Sequence, residues 1–400
     1  MFQLGIERLL TEKELQHKLI NKRIAFLGHP ASVTQDLQHS MDALMGIPSL
    51  KVVVGFGPQH GMRGEKQDNM IESDDYTDPF HNIPVYSLYG RVRRPTPEML
   101  KGWDVLLVDL QDVGCRIYTF LTTLFYMLEA VHNSSQEVWV LDRPNPAGRE
   151  IEGHKLDMRF ESFVGAAPIP MRHGLTLGEA ALWYRDFKKL KVNLTVIGMN
   201  EYHPAQGPLF GWPQQMSWVN PSPNIPRLTC TRTYPGTVLI EGTNLSEGRG
   251  TTIPLEIFGA PDLNIPRIVK DMRELAPQWL RGCRLRPASF EPTFHKFRGQ
   301  LVSALQVHVD GPFHDPAQFR PYRLVNLFFK SVHRIHPEWN LWRQPPYEYE
   351  QTLLPIDILS GHDKLRAWVA NANPDVHVWD ESLREDEMNW ERERREYLLY

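Results

Sequence analysis

Short apolar runs punctuate the first half of the chain, at Ile24–Leu27, Val52–Val54, Val105–Val108, Val138–Leu141 and Leu194–Ile197. A continuous apolar run of this length marks a strand buried on both faces, because both sides of the sheet then meet apolar neighbours. Between most of the runs the apolar positions move to a three- and four-residue spacing, over Gln35–Met45, Thr119–His132 and Thr176–Lys188. In the second of these, Leu121, Leu124, Phe125, Leu128 and Val131 share one helical face. Strands alternating with helices predict an α/β domain built on a doubly wound, mostly parallel sheet.

Residues 200–235 break the rhythm. They are rich in Pro, Gly, Trp and Asn and have no period, so they read as a long ordered loop or crossover. An α+β pattern follows. Thr237–Ile240 and Leu301–Val309 predict strands, and Ile265–Leu280, Phe319–His336 and His362–Asn371 predict helices. The charged tail, Glu381–Glu396, reads as a solvated helix that ends the domain. The expected organisation is an α/β domain over residues 1–230 and a smaller α+β C-terminal domain over 231–400.

The 400 residues, 42% of them hydrophobic, suffice for two or three sizeable cores. A net charge of −4 supplies no basic field, which argues against nucleic acid as a partner. Three cysteines (Cys115, Cys230, Cys283) without metal-ligand spacing fit a reducing compartment. The N-terminal segment has no basic stretch leading into a long apolar core, so neither an export signal nor a membrane anchor is expected, and a cytoplasmic location is. No zinc spacing, no G-x-G-x-x-G opening a helix and no Gly-Lys-Ser/Thr loop occur, so neither metal nor cofactor is expected.

Candidate chemistry collects where apolar runs end. Val105–Val108 leads into Asp109, Gln111, Asp112, Arg116 and Tyr118, and open α/β sheets place ligands at such strand ends. Gly55–Gly64 offers His60 and Arg63 on a glycine-rich turn. Val138–Gly153 delivers Asp142, Arg143 and Asn145, then Glu152; Asp142 and Arg143 read equally well as a loop-fixing ion pair or as ligands. Arg172 and His173 precede a helix start in which Thr176 and Glu179 have capping-box spacing. Glu65–Asp78 is an acidic loop containing Glu72. Asn220–Pro226 contributes Asn224. Glu241–Thr252 gathers Glu241, Asn244, Glu247 and Arg249 around three glycines, a composition suited to hydroxyl or anion binding.

Six segments, GPQHGMRG, LQDVGCRIYTF, LDRPNPAGREIEG, PMRHGLTLGE, NPSPNIP and EGTNLSEGRGTTIPLEIFGAP, occur in that order. The chain thereby resembles the NamZ-type family of exo-β-N-acetylmuramidases, from about Gly5 to Tyr400. The resemblance implies a Rossmann-like N-terminal domain, a smaller α+β domain and an active site in the cleft between them. It also implies a glycoside hydrolase that takes β-linked N-acetylmuramic acid from the non-reducing end of peptidoglycan fragments of the MurNAc-GlcNAc type, without a nicotinamide cofactor. One departure stands out: Gln59 occupies the place where members often carry Glu, and an amide cannot ionise.

Glycoside cleavage commonly uses two carboxyl groups. With Gln59 removed from consideration, Glu72 and Glu152 are the expected catalytic pair. His60, Arg63, Asp112, Arg116, Tyr118, Arg143, Asn145, His173, Asn224, Glu241, Asn244, Glu247 and Arg249 are the expected substrate-binding set. The lactyl carboxylate of muramic acid calls for a guanidinium, with Arg63 and Arg116 first among Arg63, Arg116, Arg143, Arg172 and Arg249. Gln59 also motivates an alternative, a binder of peptidoglycan fragments without activity. A nucleotide- or phosphosugar-dependent transferase is a third reading, against which the missing phosphate loop weighs.

Overall fold

All five apolar runs form strands in the computed structural model, which describes residues 1–64, 72–206, 211–372 and 375–400. They are β1 (Arg23–Gly28), β2 (Lys51–Gly57), β5 (Val105–Asp109), β6 (Glu137–Leu141) and β9 (Asn193–Ile197). With β3 (Tyr76–Thr77) and β4 (Pro84–Ser87) they make one sheet, ordered β3-β4-β2-β1-β5-β6-β9. Every pairing is parallel except β3 against β4. Leaving out the two-residue β3, the parallel strands run in the Rossmann order, which reverses between β1 and β5. Gly28 lies beside Asp109 across that switch point. Ligands of such sheets sit just beyond it, outside the carboxyl ends of the strands.

The two faces of the sheet are separate apolar layers, as strand alternation requires. Leu27, Leu106, Val108, Val138 and Val140 join one core, while Phe26, Val105, Leu107, Trp139 and Leu141 join the other. Helices α1 (Gly5–Thr11), α2 (Lys13–His17), α3 (Ser40–Met45), α4 (Thr119–Ala130) and α5 (Leu177–Phe187) accompany the sheet. The expected capping box opens α5: Thr176 Oγ1 accepts from the Glu179 N–H, and the Glu179 carboxylate accepts from the Thr176 N–H.

The second half holds a three-stranded antiparallel sheet, β10 (Ile257–Ala260), β12 (Val302–His308) and β11 (Arg284–Phe290), with β12 central. Helices α6 (Leu228–Thr237), α7 (Ile265–Leu275), α8 (Pro321–Ile335), α9 (Pro355–Ser360) and α10 (Lys364–Ala370) surround it. The strand expected at Thr237–Ile240 is instead the end of α6 and a 3₁₀ turn over Val238–Gly242. β-branched residues favour strands only weakly, and here the buried helical face decides. Gly236 lets α6 close on α8, since a Cβ there would fall 2.0 Å from the Pro321 carbonyl oxygen.

The apolar core that begins under the first sheet continues into Phe258, Leu305 and Phe328, so the halves share it. The tail joins them too. Helix α11 (Val376–Arg394) is not merely solvated: Trp379, Leu383, Trp390 and Arg394 are buried. It lies against the two-stranded β7 (Glu152–Lys155) and β8 (Pro170–Arg172), and the Trp390 indole N–H donates to His173 O at 2.8 Å. No helix among the described residues is long and apolar enough to cross a membrane.

Candidate active site

Beyond the carboxyl ends of β2 and β5 a narrow pocket opens between the halves, with about 430 Å³ of empty space including its mouth. The turn after β2 presents Gln59 and His60, the latter at φ 73°, a left-handed conformation uncommon for a side-chain-bearing residue. Tyr118 and Thr119 line it from the start of α4, and the Thr119 hydroxyl donates to Gln59 Oε1 at 2.8 Å. The proline-rich crossover supplies Ser222 and Asn224, and α6 supplies Tyr234. Glu241, Arg249, Tyr347 and Glu348 close the opposite wall.

Glu241 is fixed by two donors. Arg249 Nη2 donates to Oε1 at 2.6 Å and the Tyr347 hydroxyl to Oε2 at 2.9 Å. Arg249 is fixed in turn by Glu247, whose Oε1 accepts from Nε at 3.0 Å. Burial opposes charge on Glu247, but Lys296, Arg249 and His295 outweigh it and hold the carboxyl down at about 2. The polar loop therefore builds a chain, Lys296–Glu247–Arg249–Glu241, that delivers one oriented carboxylate to the pocket.

Glu348 sits in a different environment. Burial, reinforced by nearby Glu241, pushes its carboxyl up to about 7 against the opposing Tyr89 and Arg93. The Tyr89 hydroxyl lies 3.3 Å from both oxygens. Glu348 and Tyr349 both adopt positive φ, 45° and 71°, a costly conformation of the kind that gathers at functional sites. Arg93 is sandwiched nearby, its guanidinium 3.9 Å from the Tyr89 ring centre and 4.4 Å from that of Tyr349.

Of the expected residues, His60, Tyr118, Asn224, Glu241 and Arg249 come together in this pocket. Neither expected catalytic carboxylate lines it. Glu152 is wholly buried, and its two oxygens accept the backbone N–H groups of Tyr322 (3.1 Å) and Arg323 (2.9 Å) at the start of α8. Partial positive charge at a helix N-terminus explains that anchoring. Glu152→Ala should therefore lower unfolding free energy by about 3 kcal/mol in urea titrations, by orphaning those N–H groups and the adjacent Arg323, while Glu152→Gln should leave turnover near normal. Glu72 is a half-exposed rim residue that accepts from the Tyr349 hydroxyl at 2.9 Å and lies 3.5 Å from Arg93. Glu65 and Asp68 of the same acidic loop lie outside the described residues.

Both arginines placed first for the lactyl group have other work. Arg63 bridges Asp42 and Asp78, and Arg116 donates to four carbonyls, of His154, Ile169, Leu359 and Ser360, each at 3.0 Å. Arg143 pairs with Asp109 rather than Asp142, both buried. Asp142 instead accepts from the Thr176 hydroxyl, the Gly178 N–H and the Tyr400 hydroxyl. Asn145 shapes its own loop by bonding Leu175 O and the Ala147 N–H. Asn244 bonds Asn340 O, and Glu247 acts through Arg249. Asp112, pushed up to about 7 by burial, accepts from the Gly114 N–H, with His173 Nε2 4.0 Å away. Arg63, Asp112, Arg116, Arg143, Asn145, His173, Asn244 and Glu247, like Glu72 and Glu152, are not among the residues that line the pocket.

Glu348, Tyr347, Tyr89 and Tyr234 escaped the sequence reading. Their one sequence sign is the run Tyr347-Glu348-Tyr349-Glu350, carboxylates set between aromatic rings.

Comparison with known proteins agrees across the whole chain. Models of the N-terminal and C-terminal regions of exo-β-N-acetylmuramidase NamZ match residues 24–229 and 232–400. The peptidoglycan β-N-acetylmuramidase NamZ of Bacillus subtilis (strain 168) is 37% identical over 406 residues, covering 100% of this chain and 91% of that protein. Two DUF1343 family crystal structures from Bacteroides fragilis superpose with TM-scores of 0.84 and 0.72 at 29% and 26% identity, each covering 100% of this chain and 99% of the other. The chain belongs to the NamZ family of exo-β-N-acetylmuramidases.

Proposed function

We propose that this chain hydrolyses the β-glycosidic bond of a non-reducing terminal N-acetylmuramic acid in peptidoglycan fragments of the MurNAc-GlcNAc type. Glu348 is the general acid and Glu241 the carboxylate that faces the anomeric carbon. The observation that carries this reading is two carboxyl groups on one pocket wall, Glu348 raised to about 7 by burial and Glu241 bonded to Arg249 and Tyr347. Environments that push paired carboxyl groups apart are how glycosidases assign acid and base at neutral pH. Glu348 passes its proton to the glycosidic oxygen as the bond to the leaving sugar breaks. Glu241 stabilises the positive charge that develops at the anomeric carbon; water then adds there and gives up a proton to the Glu348 carboxylate, which restores the acid. Gln59 cannot donate a proton in this scheme and serves as an amide contact.

Arg93 is the cation proposed to read the lactyl carboxylate. It lies beside Tyr89 and Tyr349, its Nη1 donates to Gly90 O at 2.6 Å, and its Nη2 faces the exposed Glu72 at 3.5 Å, the carboxylate that a lactyl group would replace. The test pairs a chromogenic β-N-acetylmuramide with its glucosaminide. Wild-type protein should release dye from the first and little from the second. Arg93→Ala should cut kcat/KM on the muramide by about 10–100-fold and narrow that preference. Equal losses on both sugars would remove Arg93 from the role. Gln59 favours a second reading, a fragment binder without activity; tight sugar binding with no release from either substrate would establish it.

A further inference from the structure

We infer that the turn from Tyr347 to Glu350 is a gate over the pocket, one that lifts to admit the sugar and closes to bring Glu348 onto it. The inference rests on the reading of this pocket as the muramidase site.

Residues 344–353 form a strap with two fixed ends. At one end Arg343 N donates to Gly242 O at 3.2 Å and Trp342 pairs with Thr243; at the other, Pro355 opens α9. Between the ends, among the described residues, the backbone of the strap bonds only within the strap. Its one reciprocal pair joins Tyr347 and Glu350, at 3.0 and 2.9 Å, and encloses Glu348 and Tyr349 as a two-residue hairpin loop. Both enclosed residues have positive φ, the mark of a type I′ turn, where Asn and Gly are preferred because other side chains are strained. A turn carrying Glu and Tyr at these positions persists only where surrounding contacts hold it.

Those contacts reach across the mouth of the pocket. The strap belongs to the C-terminal half, yet its tip is gripped by the N-terminal half: Tyr89 beside the Glu348 carboxyl, and Glu72 and Arg93 on the Tyr349 hydroxyl. Tyr349 is 56% exposed, and hydrogen bonds so open to water contribute little net stability. Tyr347 differs, being buried and bonded to Glu241 on its own side. The base of the turn is therefore firm and its tip weakly held. Lifting the tip relieves the backbone cost and gives up few buried contacts, which places an open state within thermal reach. Even with its mouth counted, the 430 Å³ of the pocket is near the bottom of the roughly 300–1,000 Å³ range of ligand sites, so a closed tip leaves little passage. Because the tip carries Glu348, closure also completes the acid over a bound sugar.

The full-length protein carrying Cys283→Ser, Glu72→Cys and Tyr349→Cys is locked through a bis-maleimide whose spacer contains a disulfide, the thiols of Cys115 and Cys230 being buried. Cross-linking is expected to lower kcat/KM on the chromogenic muramide about tenfold or more, and dithiothreitol to restore it. The same variant capped with N-ethylmaleimide should keep the activity it had before capping. Full activity in the cross-linked protein, or an equal loss on capping, overturns the gate. Calorimetric titration with free N-acetylmuramic acid reads the gate without turnover. Sugar binding that is lost on cross-linking and regained with dithiothreitol upholds the gate even where wild type releases no dye, an outcome that removes the hydrolase reading alone. Hydrogen exchange on wild type is the second measurement: the Tyr347 and Glu350 amides should exchange about tenfold or more faster than those of α8, and slow when the sugar is added. Protection equal to that of α8 overturns the gate.

Discussion

Glu348→Gln is expected to reduce kcat/KM on a MurNAc-GlcNAc disaccharide by about 10²–10⁴-fold, the usual worth of a positioned general acid. The amide preserves volume and the bond from the Tyr89 hydroxyl, so folding and sugar binding should change little. The loss should depend on the leaving group. A sugar hydroxyl departs poorly without a proton, whereas an acidic phenol departs readily as its anion. The variant should therefore recover most of its activity on an aryl muramide with an acidic phenol. Similar losses on both substrates would point to a folding or binding defect and away from acid catalysis. Steady-state kinetics on the two substrates, with melting curves as control, separates the outcomes.

Glu241→Gln is expected to cost about 10²–10³-fold in kcat on both substrates, because the charge it supplies faces the anomeric carbon and not the leaving group. The variant also removes one side of the buried Arg249 pair, leaving that guanidinium with Glu247 alone. Breaking a buried pair commonly destabilises by about 3–5 kcal/mol, so a lower melting temperature should accompany the kinetic loss. Arg249→Met separates the two effects, since it destabilises while keeping the Glu241 carboxyl and its Tyr347 bond. A Glu241→Gln enzyme with normal kcat would exclude the residue from the reaction.

The sheet was legible because burial on both faces writes itself into local sequence: β5 is Val105–Asp109, and all five residues are buried as the apolar run implies. The polar loop from Glu241 to Thr252 reads as a binding surface from its composition, and Glu241 and Arg249 line the pocket. Contacts that depend on a distant partner were not legible. Glu152 looked catalytic because nothing near it in sequence explained a lone carboxylate; its partners are N–H groups 170 and 171 residues away. Arg116 looked free for a substrate, yet two of its four carbonyls lie 243 and 244 residues on. Glu348 went unseen because its raised pKa comes from burial and from Glu241, a neighbour on the pocket wall that is distant in sequence. Local pattern records burial well and tertiary electrostatics hardly at all.

The most direct test of the account is the pH dependence of kcat/KM on the disaccharide, for wild type and Glu348→Gln. An acid must hold its proton to donate it. With Glu348 raised to about 7, activity should fall as pH rises through that value. The descent should approach about tenfold per pH unit, and this limb should vanish in Glu348→Gln. A wild-type profile that stays level from about pH 6 to 9, or a descending limb that survives in Glu348→Gln, would contradict the assignment of Glu348 as the acid.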